Sequence, residues 1–139
     1  MVRLKRAYEA VAPSDGYRIL VERLWPRGVR KEEAALDEWL KDIAPSDELR
    51  RWFHHEPSRW AEFQRRYERE LRAESAQELL DELARRAKRG TVTLVYSAHD
   101  EEHNNAIVLE QEIRRRLGRA RSAGARPERR RTRAAVAHR

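Results

Sequence analysis

Two stretches of the sequence gather side chains whose types and spacing suit chemistry. The first is Arg23-Leu24-Trp25-Pro26-Arg27-Gly28, followed by Lys31. Cations and an indole around a turn stiffened by Pro26 are what an anion, or a stacked base carrying a phosphate, asks for. With Arg18 just upstream, the candidate ligand contacts are Arg18, Arg23, Trp25, Arg27 and Lys31, joined by Asn104 from the second stretch. That second stretch is Tyr96-Ser97-Ala98-His99-Asp100, with Glu101, Glu102, His103 and Asn104 behind it. It offers hydroxyl, imidazole, carboxylate and amide groups at one point. Tyr96, Asp100 and His103 are the candidate catalytic residues, and the imidazole of His103 is the side-chain type that exchanges a proton near neutrality. Plain structural roles compete at each position. Arg23 can pair with an acid such as Asp37, and Trp25 can cap the core. Asp100 can be a helix N-cap, with Glu101 and Glu102 as first-turn partners of the helix dipole.

Other chemistry is poorly served. His99-Asp100-Glu101-Glu102-His103 spells the H-x-x-E-H pattern of one zinc-peptidase class. That site needs both histidines on one continuous helix, yet His99 follows the end of a strand at Tyr96 by three residues. His54 and His55 are adjacent, so on a helix they point to different faces, and at its C-terminal end they meet the dipole favourably. No Walker loop, G-x-G-x-x-G or G-x-S-x-G occurs, and with no cysteine the chain has no thiolate for catalysis or metal binding. The residues compel no metal and no cofactor.

These groups must be positioned by a small number of elements. Val2 to Ala7 alternates apolar and basic residues, the period of a half-exposed strand at or near a sheet edge. Pro13-Ser14-Asp15-Gly16 is a turn cluster, and Tyr17 to Leu24 reads as a more buried strand that Pro26 and Gly28 break. Leu36, Trp39, Leu40 and Ile43 share a helical stripe that Pro45 stops. Ser46 caps a short second helix with Leu49, Trp52 and Phe53. Pro57 opens a third, in which Trp60, Phe63, Tyr67 and Leu71 recur at helical spacing. The aromatic run from Trp52 to Tyr67 therefore reads as core. Ser75-Ala76-Gln77-Glu78 has the form of a capping box opening a fourth helix that Gly90 ends. Thr91 to Tyr96 is the clearest strand. A last helix from about Glu102 to Leu117 turns Ala106, Leu109 and Ile113 inward. The pattern predicts a small α/β sheet of three or more strands flanked by five or so helices, with room for a further short strand in the loops.

Charge is distributed unevenly. The chain has 139 residues, with 31 Lys+Arg against 24 Asp+Glu. Residues 118–139 hold eight of those arginines and one acid, Glu128, so residues 1–117 are electrically balanced. The pI near 10.3 thus describes an Arg-rich extension and not a folded basic face. The division expected is an α/β domain over residues 1–117 and a disordered basic tail over 118–139, which is too poor in large apolar residues to build a core. No stretch approaches the ~20 apolar residues of a membrane span, and the charged start is unlike a signal peptide, so a cytoplasmic location without membrane contact is expected.

The motifs also carry a likeness. Gly16-Tyr17-Arg18, Arg23-Leu24-Trp25-Pro26-Arg27-Gly28, Lys31, Asp37-Glu38-Trp39-Leu40, Ile43-Ala44-Pro45-Ser46, Leu49-Arg50-Arg51-Trp52-Phe53, Trp60, Glu62-Phe63, Tyr67, Glu70-Leu71 and Leu94-Val95-Tyr96 with His103-Asn104 together resemble the YeaO-like bacterial family. The likeness runs in order from about Val2 to Leu117. His99 stands outside the pattern, as does the Arg-rich extension. The family is a domain of unknown function, number 488, so the resemblance implies a small cytosolic α/β protein and supplies no reaction. The leading expectation is a site for a small anionic or nucleotide-like ligand, bound or acted upon, between the Arg23–Lys31 loop and the Tyr96–Asn104 loop. The alternatives are an accessory protein held on nucleic acid by residues 118–139, and a protein-interaction module without catalysis. The sequence leaves the oligomeric state open.

Overall fold

The computed structural model describes the backbone of residues 1–125 and the side chains of residues 1–118. Four strands, β1 (Val2–Arg6), β2 (Tyr17–Leu20), β3 (Glu38–Trp39) and β4 (Val92–Tyr96), form one sheet in the order β1-β4-β2-β3. Every neighbouring pair is parallel, with Leu4, Leu94 and Ile19 in register across β1, β4 and β2. All four carboxyl ends therefore share one edge of the sheet. The alternating Val2 strand lies at the side of the sheet, as its pattern predicts, and fully buried β4 lies inside it.

Pleating sorts the strand residues onto two faces. Val2, Ile19, Val92, Leu94 and Tyr96 join the main core with Phe63, Tyr67, Leu80, Leu83, Leu109 and Ile113. The helices supplying that core are α2 (Asp47–Phe53), α3 (Trp60–Glu70), α4 (Glu74–Arg89) and α5 (Asn105–Ala125). Helix α5 packs on β1, β4 and α4. The alternate positions Arg18, Leu20, Thr93 and Val95 are also buried. There Asp15 pairs with Arg18 at 2.7 Å and Lys5 at 3.0 Å, and Thr93 Oγ1 donates to the Asp15 carbonyl at 2.6 Å. Gly16 enters β2 at φ +64°, and a Cβ there would stand 2.3 Å from the Thr91 carbonyl oxygen, so no other residue fits without a shift.

Several boundaries differ from those the sequence predicts. The Leu36–Ile43 stripe is not a helix. A short helix, α1 (Lys31–Ala34), ends at Ala35 in the left-handed region, φ 47°, and the chain then pairs with β2 as β3. Asp37 N–H donates to the Arg18 carbonyl at 2.9 Å and Leu40 N–H to the Leu20 carbonyl at 2.8 Å, so sheet bonds override the local period. This is the additional short strand for which the loops left room. Strand β2 stops at Leu20, earlier than the expected Leu24. Helix α4 starts at Glu74 with no side-chain cap, so Ser75–Glu78 is not a capping box, and the Gln77 amide instead donates to the Leu71 carbonyl at 2.6 Å. Helix α5 begins at Asn105, later than Glu102, and is described to Ala125. The rest of the expected tail, residues 126–139, lies outside the described residues. Among the described residues no helix is long and apolar enough to cross a membrane.

Candidate functional site

A parallel sheet sends every strand-end loop to the same edge, and ligands of open α/β sheets bind there. A cleft of about 630 Å³ opens at this edge. It is lined by Tyr8 beyond β1, by Glu22 to Arg27 beyond β2 and by Ala44 and Pro45 beyond β3. Ser97, Ala98, His99 and His103 to Asn105 line it beyond β4, and Arg50, Arg51, His54 and His55 from the end of α2. The two chemistry-bearing stretches of the sequence thus meet in one cavity, within the size range of small-molecule sites.

The walls are fixed by hydrogen bonds that link the site to the core. Tyr67, buried in α3, donates its hydroxyl to the Ile43 carbonyl at 2.6 Å, which sets the position of Ala44 and Pro45. Those residues in turn hold Arg23, whose Nε donates to the Pro45 carbonyl at 3.2 Å and whose Nη2 donates to the Ala44 carbonyl at 3.4 Å. The nearest acid to Arg23 is Asp47, at 3.8 Å and half exposed, and not Asp37, whose carboxylate accepts from the Arg18 backbone. Trp25 donates its indole N–H to the Val29 carbonyl at 2.6 Å and meets Trp39 edge to face at 5.3 Å. Tyr8 closes the mouth by donating to the Arg27 carbonyl at 3.0 Å. On the far side, Asn105 Nδ2 ties the start of α5 to the Val21 carbonyl at 2.7 Å.

The sequence-predicted site residues divide. Arg23, Trp25, Arg27, His103 and Asn104 line the cleft, whereas Arg18, Lys31, Tyr96 and Asp100 do not. Arg18 is buried on the other face of the sheet, bound to Asp15 and the Ala34 carbonyl, and Lys31 is exposed at the start of α1. Tyr96 is buried in the core, and that burial, with Glu101 next in effect, raises its phenol further above neutrality. Asp100 accepts from the Glu102 and His103 amides and from His103 Nδ1 at 2.8 Å. These bonds hold its carboxyl below the usual range and orient the imidazole, which also meets Trp60 edge to face. Asp100 is therefore not the N-cap of the last helix. Asn104 fills that role, its Oδ1 accepting from the Ile107 amide at 3.2 Å. His99 to His103 lie in bends before α5, so the H-x-x-E-H histidines do not share a helix.

Residues outside the sequence-predicted site set complete the site. Glu22 lines the cleft, and its carboxylate accepts from Ser97 Oγ at 2.9 Å and from Ser97 N at 3.4 Å. Burial pushes its pKa up, against the lowering effect of the Ser97 bonds and of His55 and Arg50. It is the only carboxylate among the described residues lining the cleft, where Arg23, Arg27, Arg50 and Arg51 also stand; Asp47, outside the lining, accepts from Arg50 Nη2 at 3.2 Å. His54 and His55 both stand in the left-handed region, at φ 45° and 56°. Two such non-glycine residues in succession cost of order 1–3 kcal/mol each and turn the end of α2 into the cleft.

Fold and site define a class: small parallel α/β proteins with a cationic cleft at the carboxyl edge of the sheet. Within it, the chain belongs to the family described as the inactive DUF488-N3 subclade (DUF488-N3i), whose model matches residues 1–131. It is 49% identical over 113 residues to the uncharacterized protein YeaO of Escherichia coli K12, covering 81% of this chain and 96% of that one. It is 44% identical over 110 residues to the uncharacterized protein Rv3073c of Mycobacterium tuberculosis, covering 79% and 91%. The YeaO-like resemblance carried by Trp25-Pro26-Arg27-Gly28 and its companions is borne out. No solved structure matches the chain.

Proposed function

We propose that the strand-edge cleft binds a small anionic, nucleotide-like ligand without turning it over. The observation that carries this reading is that four arginines, Arg23, Arg27, Arg50 and Arg51, line one cavity of ligand size together with a single carboxylate residue, Glu22. Arg23, Arg27, Arg50 and Arg51 take the anion through charge-assisted hydrogen bonds, and Trp25 offers an aromatic wall. Binding in place of catalysis is supported by two things. The family is described as inactive. The Tyr96 phenol, one of the candidate catalytic groups, is also buried in the core and does not line the cleft.

The test is a thermal-shift screen of the full chain with inorganic phosphate, sugar phosphates and nucleotides, beside an Arg27→Ala, Arg51→Ala double variant. Both side chains are exposed, so the variant keeps the fold. A ligand at a hundred times its Kd adds about 2.7 kcal/mol, which raises Tm by several degrees in a domain of this size. A rise in the parent that is absent from the variant is expected. No rise with any of these anions overturns the proposal.

A further inference from the structure

A carboxylate in a cleft built for anions needs an explanation, because Glu22 repels whatever Arg23, Arg27, Arg50 and Arg51 attract. A purely anionic ligand such as free phosphate or sulfate gains nothing from it. A ligand with hydrogen-bond donors set apart from its anionic group does. Each Glu22 oxygen accepts one bond from Ser97 and retains further acceptor capacity. The donors it meets are neutral, since the surrounding guanidinium groups disfavour an ammonium group at the same place.

We infer that the cleft selects a phosphorylated ribose, with the phosphate on the arginines and the vicinal hydroxyls on the Glu22 carboxylate. This inference rests on the anion reading above and adds the substrate class to it. A ribose 2′-hydroxyl donating to a carboxylate at the carboxyl edge of a parallel sheet is a recurrent way of holding a nucleotide.

The test is isothermal titration of the full chain with the 5′-ribonucleoside monophosphates, each beside its 2′-deoxy counterpart, with inorganic phosphate as the bare anion. The ribonucleotide that binds best is expected to exceed its deoxy counterpart by roughly tenfold, the loss of one hydrogen bond to a charged group. In Glu22→Gln, an isosteric change, that preference falls to about twofold or less while phosphate affinity is kept or rises. Equal affinity for a ribo and deoxy pair in the parent overturns the inference and leaves the anion site standing. Nucleotide and phosphate both failing to bind overturns the anion reading as well. The comparison in the parent decides the matter even if Glu22→Gln does not fold.

Discussion

Asp15 shows how far a single residue's environment decides its role. Its side chain is buried between Lys5 and Arg18. Burial alone would raise its pKa, but the Ala12 amide, Lys5 and Arg18 together hold it below 3.8. A carboxyl with a depressed native pKa contributes stability that is fully present above its unfolded value and is lost as pH falls through the folded one. Acid denaturation should therefore draw on Asp15 below pH 3.8, and Asp15→Asn should flatten that part of the stability–pH curve. The same substitution leaves Arg18, 3% exposed, with the Ala34 carbonyl but no charged partner, and should cost about 3–5 kcal/mol in denaturant melts at neutral pH. Arg18 was legible as a cation near the site and illegible as a structural one. Its register opposite Thr93, on the face away from the main core, depends on a pairing that one sequence does not display. Glu22 was missed for a related reason. Reading β2 through to Leu24 places Glu22 inside a strand, whereas the strand ends at Leu20 and releases it into the cleft.

Elements made by local signals were readable, and those made by distant pairing were not. Ser46 followed by Asp47 and Glu48 announces α2, and in the fold Ser46 Oγ accepts from the Leu49 amide at 3.1 Å. It also donates to Glu70 of α3 at 2.6 Å, a tie between elements that the sequence does not advertise. Ser46→Ala should cost about 0.5–2 kcal/mol in thermal or denaturant unfolding. Because α2 carries Arg50 and Arg51, it should also weaken anion affinity more than stability alone requires. The Leu36–Ile43 stripe went the other way: its helical spacing is genuine, but two backbone bonds to β2 decide for a strand and a turn. Trp39 then gains a use a helix would not give it, donating to the Glu22 carbonyl at 2.6 Å and backing Trp25. Trp39→Phe keeps an aromatic ring but removes that bond. It should cost about 0.5–1.5 kcal/mol and loosen the loop beyond β2, read as faster amide exchange at Glu22 and Arg23.

At the scale of the whole molecule, the balanced charge of residues 1–117 and the arginines of residues 118–139 make separable predictions. Removing residues 126–139 should leave anion binding in the cleft unchanged. Any affinity of the full chain for nucleic acid should fall, and its salt dependence should become shallower by about 0.9 log unit per log unit of salt for each phosphate no longer neutralised. That the two chemistry-bearing stretches meet was foreseeable once the strands are all parallel, since their loops then share one edge. The contribution of α2 to that edge was not foreseeable, because it depends on the left-handed turn at His54 and His55. The central claim is that this edge, and no other surface, holds the anion. The most direct measurement is an amide NMR titration of the full chain with a ribonucleoside monophosphate. The account predicts shifts clustered at Glu22 to Arg27, His54 and His55, and Ser97 to Asn105. Shifts confined to the opposite face around Arg3, Ser14 and Lys31, or to residues beyond Leu117, would contradict it.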